Sequence, residues 1–305
     1  MHGNDVEVLM RYVVPVNHST THAEISLWAS QGVEEFYFGF MPKPWVKSYG
    51  WEICSNRRPY PELPHLTEIS QVRKMIRWIH QSKARAVFAI NEHIYPLALA
   101  QKIVNMVLIM EKEGADALLI ADPALLMMVK ASKVSLSVHA SVGLGVQNVE
   151  AVEFFRNLGI NRFVLPRKLR PDEIVSLLNA TPQEVEFEIF LLGEWCFYND
   201  QVCFSPHGYG KDAFCYRKKC QGAKGSHHPM LNEPYDYAWC GLCLAGMLRD
   251  YHDRLLFKIP VRSDVFKSPR VIDQILRMGN LSTMSRAELM KSMQCQQRYC
   301  AYEFA

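Results

Sequence analysis

The sequence lacks the long apolar run that a membrane-spanning helix requires. Its most apolar stretch, 115–129, carries Asp116 and Asp122 and is shorter than the roughly 18 residues that a span needs. The first seven residues are polar and acidic, and they do not follow the basic, apolar, small-residue order of a secretory signal. We therefore expect a soluble, cytoplasmic protein without a membrane span.

A strong excess of charge of either sign is also absent. The chain has 34 Lys plus Arg against 31 Asp plus Glu, a formal net charge of +3 at pH 7. This balance does not provide the basic footprint of a nucleic-acid-binding domain, and no basic stripe interleaved with aromatic residues appears. The sequence therefore does not suggest nucleic acid as a partner, and we expect a small-molecule substrate that the sequence does not identify.

Several enzyme motifs are missing as well. The chain has no Gly-x-Ser-x-Gly elbow, no His-Glu-x-x-His pair and no glycine-rich phosphate loop of the Walker type, so no local motif favours a hydrolase. The composition is 49 % hydrophobic and 21 % charged, which is typical of a globular protein and excludes a disordered chain.

Short apolar runs alternate with amphipathic stretches along most of the chain. Strands are predicted at 6–14, 34–38, 85–90, 116–120, 134–138, 162–165, 185–191 and 255–259. Helices are predicted at 20–30, 68–80, 97–112, 148–158, 171–178 and 269–277, with a short one from Pro123. This alternation indicates βαβ units around a parallel sheet. The alternative, a doubly wound sheet, normally has a glycine-rich turn after its first strand, and residues 15–18 contain no glycine.

Seven or eight βαβ units fit a closed barrel better than an open sheet. We therefore predict the α/β class, with a (β/α)8 TIM-barrel-like domain over residues 1–281. The regular pattern stops at 193–243, which we predict to be a cysteine-rich, cluster-binding insertion after strand seven. Residues 282–305 are predicted to form a C-terminal helix and tail.

The cysteines are concentrated in that insertion. The chain has nine, an odd number that argues against a disulfide framework in a chain without a secretory signal. Six fall in one region: Cys196, Cys203, Cys215, Cys220, Cys240 and Cys243. Clustered thiolates are typical of an iron–sulfur cluster, which usually takes four. A tetrahedral zinc site and a group of free, partly buried thiols remain the alternatives.

Basic residues stand at the ends of two predicted strands. Arg167 follows strand six, and Lys258 and Arg262 flank the end of strand eight. Cations at the carboxyl ends of barrel strands suit an anionic ligand, and Arg matches the geometry of a carboxylate; ion pairs with neighbouring loops are the alternative. His139, just after strand five, is either a proton shuttle or ligand contact or a hydrogen-bonded structural histidine.

One segment resembles the signature of the collagenase-like peptidase family U32. That signature reads Glu-x-Phe-x-x-Gly, two residues, Cys, six residues, Cys, and here it corresponds to 188–193 followed by Cys196 and Cys203. Glu194-Trp195 and Gln201 depart from the family pattern. Three further segments are similar to family landmarks: 114–122, 164–167, and 258–262 with Ser268-Pro269. The resemblance extends from about Tyr12 to Leu276.

Despite its peptidase label, this family includes the oxygen-independent hydroxylation proteins of the UbiU/UbiV/RlhA/TrhP type. The resemblance implies a [4Fe-4S] cluster and prephenate, rather than O2, as the oxygen donor. It implies as cluster ligands Cys196, Cys203, Cys215 and Cys240, with Cys220, Cys243 and Cys54 as alternates. A UbiV-like set would instead be Cys54, Cys203, Cys215 and Cys220.

The residues that would act in such a reaction are Arg167, Lys258, Arg262 and His139, with the three cations binding the carboxylates of the donor. We expect an anaerobic hydroxylase acting on an unidentified small-molecule or cofactor substrate, with a homologous family subunit as a candidate partner in a heterodimer. The alternatives are a peptidase or other hydrolase of the U32 type, and a non-catalytic cluster-binding partner of a homologous hydroxylase subunit.

Overall fold

The structure is a computed structural model, and it describes residues 10–50, 53–57, 65–194, 201, 238–260, 268–278 and 281–292. Its strands are β1 (Tyr12–Pro15), β2 (Val33–Phe40), β3 (His65–Leu66), β4 (Arg85–Ile90), β5 (Ala117–Ile120), β6 (Ser137–Ala140), β7 (Arg162–Val164), β8 (Glu186–Phe190), β9 (Leu192–Glu194), β10 (Ala238–Cys240) and β11 (Leu255–Lys258). Its helices are α1 (His22–Ser30), α2 (Lys43–Tyr49), α3 (Ile69–Gln81), α4 (Leu97–Lys112), α5 (Pro123–Ala131), α6 (Val149–Arg156), α7 (Pro171–Ala180), α8 (Leu242–Met247), α9 (Ser268–Arg277) and α10 (Arg286–Ser292).

Eight parallel strands close into a barrel. Around the ring the order is β1, β11, β8, β7, β6, β5, β4 and β2, and the pairing of β2 with β1 completes the ring. Helices connect most of the consecutive strands, because a parallel pair requires a long crossover between its members. The predicted (β/α)8 TIM-barrel-like fold is confirmed. The two-residue strand β3 extends the sheet beside β2, outside the ring.

The helices form where apolar residues recur at three- and four-residue spacing. In α3 the residues that face the core are Val72, Ile76 and Ile79, all buried. Thr21 begins α1 with a capping box, in which its side chain accepts from the backbone N–H of Glu24 while the Glu24 side chain accepts from that of Thr21. Among the described residues, no helix is both long and apolar enough to cross a membrane.

A small antiparallel ladder follows the last residues of β8. Strand β10 pairs with β9, so that Cys240 lies opposite Leu192. Helix α8 begins two residues later and buries Leu242, Leu244 and Ala245. Most of the predicted insertion at 193–243 lies outside the described residues, and the binding of a cluster by its cysteines therefore remains a sequence prediction.

Candidate functional site

The barrel interior contains a group of buried charged side chains. Glu35 on β2 bonds Arg162 on β7 (2.5 Å, Oε1 to Nη1), although these strands lie on opposite sides of the ring. Such a contact can form only through the interior. His139 on β6, Glu188 on β8 and Lys258 on β11 complete the group, and all five side chains are at most 5 % exposed.

Glu35 is held by two arginines through one of its oxygens. Its Oε1 accepts a hydrogen bond from Arg85 (3.0 Å) and forms an ion pair with Arg162 (2.5 Å), and Arg162 also donates to Glu186 Oε2 (2.5 Å). Burial by itself would lower the pKa of Arg162, but Glu35, Glu188 and Glu186 raise it overall. The guanidinium of Arg162 is therefore charged at every accessible pH. It holds the carboxylates of Glu35 and Glu186 near the amino-terminal ends of their strands.

Lys258, the last residue of β11, points into the same interior. Its Nζ lies 2.6 Å from Glu188 Oε2 and 4.4 Å from the centroid of the Tyr37 ring. Sequence reasoning placed Lys258 among cations at the mouth, with an ion pair as the alternative; the structure places it in an ion pair inside the barrel. Any anion that contacts Lys258 shares it with Glu188.

His139 lies within β6 rather than just after it. Strand β6 ends one residue later than the histidine because Ala140 pairs with Ile120 and Phe163. His139 Nδ1 lies 3.7 Å from Glu188 Oε1 and 3.9 Å from Glu35 Oε2, too far for direct hydrogen bonds. Burial, followed by the charge of Arg162, lowers the pKa of His139 to about 3, so the ring is neutral near pH 7.

Arg167 lies at the carboxyl ends of the strands, where barrel enzymes carry out their chemistry. Its guanidinium carbon is 3.7 Å from the centroid of the Phe190 ring, and Phe190 is the last residue of β8. Stacking on an aromatic face orients a guanidinium. The predicted position of Arg167 beside the mouth agrees with this geometry.

Cys54 lies in the segment 53–57, which packs beside the end of β4. Its side chain is fully buried, with Sγ 3.5 Å from the carbonyl oxygen of Asn56 and 3.7 Å from Glu92 Oε2. The Tyr95 hydroxyl donates to the carbonyl of Cys54 (3.0 Å).

Burial raises the pKa of the Glu92 carboxyl beside Cys54, and the charge of Arg57, whose Nε is 3.4 Å from Glu92 Oε1, partly offsets this increase. Burial and Arg57 together lower the pKa of His93 to about 3.

The structure places only some of the other predicted residues. Cys240 ends β10, and Cys243 lies half-buried in α8. Outside the described residues lie Cys196, Cys203, Cys215, Cys220 and Arg262.

Sequence reasoning missed Glu35, Arg162 and Glu188. Their signal was available in the sequence: all three are charged and lie within strands of a parallel sheet, whose strands are usually apolar on both faces. A charge at such a position requires a buried partner of opposite sign. The sequence did not reveal that the partners face one another across the ring.

The fold and the interior together define a (β/α)8-barrel protein with a charged core and a short cysteine-bearing ladder beyond β8. Within that class, the chain belongs to peptidase family U32, whose family model matches residues 23–222, about two-thirds of the sequence. A solved structure described as a U32 peptidase has the same fold, with a TM-score of 0.50 and 12 % identity over 86 % of this chain and 97 % of that one.

Curated relatives match parts of the chain. A tRNA hydroxylation protein P of Haemophilus influenzae is 36 % identical over 88 residues, 29 % of this chain and 19 % of the relative. A 23S rRNA 5-hydroxycytidine synthase of Escherichia coli is 25 % identical over 141 residues, 46 % of this chain and 20 % of the relative. The chain thus matches about a fifth of the length of each.

Proposed function

We propose that this protein is a [4Fe-4S] protein of oxygen-independent hydroxylation that uses prephenate as the oxygen donor. The observation that carries the proposal is the U32 match over residues 23–222, together with relatives named for RNA hydroxylation. A charged barrel with a cysteine-bearing ladder beyond β8 supports this reading, because the carboxyl ends of barrel strands are where such folds place their reactive groups.

The chemistry of the available donors fits an iron–sulfur cluster. The β9–β10 ladder holds the backbone of Cys240 opposite Leu192, four residues before Cys196 in the sequence. The Cys54 thiol instead contacts two oxygen atoms, the carbonyl of Asn56 and Glu92 Oε2, which are not cluster ligands. We therefore assign the cluster to Cys196, Cys203, Cys215 and Cys240. When bound, the cluster supplies electron transfer.

The chain's own cations bind the donor. Prephenate carries two carboxylates, and a guanidinium can hold a carboxylate through two parallel hydrogen bonds. Arg167, oriented by the Phe190 ring, and Arg262 bind these carboxylates. Lys258 remains paired with Glu188 and contributes positive charge from inside the barrel. Arg167→Lys, which keeps the charge but loses the planar fork, is expected to weaken prephenate binding about tenfold, measured by titration calorimetry.

The first experiment uses protein purified without oxygen. Iron and acid-labile sulfide are expected at about four each per chain, with a broad visible absorption that bleaches on reduction. Incubation with prephenate carrying ¹⁸O in its hydroxyl group should then transfer the label to the product. Stoichiometric zinc without sulfide, or product oxygen that comes from water, would contradict the proposal. Peptide cleavage that survives removal of the cluster would favour the peptidase alternative.

RNA is a second candidate for the substrate, in place of the small molecule that the sequence favoured. The names of the matched relatives, which describe tRNA and rRNA hydroxylation, support it. Nucleosides from the tRNA and rRNA of a strain without the gene, analysed by mass spectrometry, should lack one hydroxylated base that the parent strain contains. Unchanged RNA together with a missing hydroxylated metabolite would favour the small molecule.

A further inference from the structure

Three buried ligand-type groups converge inside the barrel. Glu35, His139 and Glu188 offer atoms that all lie within 4.8 Å of one another. Among the described side chains, Glu35 Oε2 and His139 Nδ1 are buried without a hydrogen-bond partner. An unsatisfied polar atom in a protein interior is costly and calls for an occupant that interacts with it.

We propose that Glu35, His139 and Glu188 bind one divalent transition-metal ion inside the barrel, at a site separate from the cysteine-based cluster. The separations of 3.7 and 3.9 Å from Nδ1 to the two carboxylate oxygens suit atoms that share an ion at about 2.0–2.2 Å. One imidazole nitrogen and two carboxylate oxygens form a donor set that suits Mn²⁺, Fe²⁺ or Zn²⁺.

The surrounding ion pairs orient these donors. Each carboxylate uses one oxygen for a cation: Glu35 Oε1 bonds Arg162, and Glu188 Oε2 bonds Lys258. The other oxygen of each, Glu35 Oε2 and Glu188 Oε1, is the one nearer His139. Metal-binding carboxylates are commonly fixed by outer hydrogen bonds of this kind.

A buried water molecule is the competing occupant. It would donate to both carboxylates and accept from the imidazole, which satisfies all three groups, and it adds no charge beside Arg162 and Lys258. The two carboxylates balance the charge of a divalent ion, but the two nearby cations raise its electrostatic cost. The experiment must therefore distinguish an ion from a water molecule.

Manganese is the appropriate probe, because Mn²⁺ prefers oxygen and nitrogen ligands and competes poorly for thiolates. The full chain with its native cofactor content is incubated with MnCl2, and bound metal is measured from the loss of the free-ion paramagnetic resonance signal. We expect one bound ion per chain and, in crystals, an anomalous peak between the three side chains. A chain that binds no Mn²⁺, or an ordered water alone at that position, would overturn the proposal.

Two substitutions in solution complement the crystals. His139→Phe removes the nitrogen donor, keeps a ring of similar size and leaves both carboxylate–cation pairs in place, so Mn²⁺ affinity should fall at least about tenfold. The matched control is Glu186→Gln, because the Glu186 carboxylate, 28 % exposed, bonds Arg162 but does not belong to the converging group. Equal affinity in the two variants would contradict the assignment.

A third variant, Cys240→Ser, separates this site from the cluster. It should retain Mn²⁺ binding even where it loses iron and sulfide. If His139→Phe does not fold, the anomalous peak in wild-type crystals with Mn²⁺ still tests whether an ion lies between the three side chains. The metal site is independent of the hydroxylation proposal, since Mn²⁺ binding is measured without turnover.

Discussion

Single residues in the barrel interior carry charges, and the effect of each charge on stability depends on its partner. Lys258 and Glu188 are both nearly inaccessible to solvent and lie 2.6 Å apart. A buried pair of this kind adds little net stability compared with apolar side chains, but removal of one member leaves an uncompensated buried charge. The importance of either residue can therefore be measured only together with its partner.

Lys258→Met is expected to lower the free energy of unfolding by about 3–5 kcal/mol, because Glu188 then remains buried without its cation. Urea unfolding followed by circular dichroism measures this change. The double variant Lys258→Met with Glu188→Gln should regain part of the loss. As a control, Lys112→Met on the exposed side of α4 should change stability by about 0.5 kcal/mol or less. A loss in the double variant equal to the sum of two single losses would show that the residues are not coupled.

One buried and one half-buried histidine, His139 and His93, predict a loss of stability in acid. The pKa values of His93 and His139 are both lowered to about 3 in the folded protein, whereas an unfolded histidine titrates near about 6.5. Between these values only the unfolded chain binds the proton, so the free energy of unfolding falls as the pH falls. The slope is about 1.4 kcal/mol per pH unit for each histidine.

Urea unfolding at several pH values, from about pH 7.5 to about pH 4, tests how the free energy of unfolding depends on pH. His139→Phe should remove the contribution of one histidine and leave a shallower slope, with no corresponding change above about pH 7. An identical slope in the wild type and the variant would mean that His139 accepts a proton in the folded state.

At the scale of the elements, the sequence predicted long periodic segments well. Helix α4 spans Leu97–Lys112 and β4 spans Arg85–Ile90, both as expected. The three- and four-residue apolar spacing of α4 matches its buried face, and the apolar run of β4 suits a strand that is buried on both faces. Strand β6 was predicted at 134–138 but runs from Ser137 to Ala140. Its position is fixed by pairing with its neighbours, which local periodicity does not encode. The seven-residue α2 and the two-residue β3 were missed because they are too short to carry a period.

Asp122 joins two elements at the mouth. Its Oδ1 accepts from the backbone N–H groups of Ala124 and Leu125, which caps α5, and its Oδ2 accepts from that of Tyr95. Asp122→Ala should therefore lower the free energy of unfolding by about 1–2 kcal/mol through loss of the cap. The loss should be larger than this because the buried N–H of Tyr95 also loses its acceptor.

Thermal unfolding measures the total cost of Asp122→Ala, and hydrogen exchange at the Tyr95 amide reports the second contact separately. Asp122→Asn keeps one acceptor oxygen and should destabilise the protein less than the alanine. An unchanged exchange rate at Tyr95 in the alanine variant would contradict this role.

At the scale of the whole molecule, the closure of the barrel creates the interior site. Glu35 and Arg162 are far apart in the sequence and come from opposite strands, so no spacing rule connects them. The residues at strand ends, such as Arg167, were predictable because the mouth of a barrel follows from the order of its elements. The pairing of Lys258 with Glu188 was not, because it depends on which side chains point inward around a closed ring.

The same topology makes a prediction about the cluster ligands. The two alternative sets take a ligand from different connections: Cys54 follows β2, whereas Cys240 ends the ladder that follows β8. The Cys54 thiol already contacts the carbonyl oxygen of Asn56 and Glu92 Oε2, so we expect that it does not bind the cluster. After anaerobic purification, Cys54→Ser should therefore retain about four iron and four sulfide per chain.

Cys240→Ser should lose most of its iron and sulfide under the same conditions, because a serine hydroxyl is a poor replacement for a thiolate ligand. Cys243→Ser, three residues further along in α8, is the matched control and should behave like the wild type. If Cys54→Ser loses the cluster while Cys240→Ser keeps it, the ligand would come from the connection after β2. The assignment to Cys196, Cys203, Cys215 and Cys240 would then be wrong.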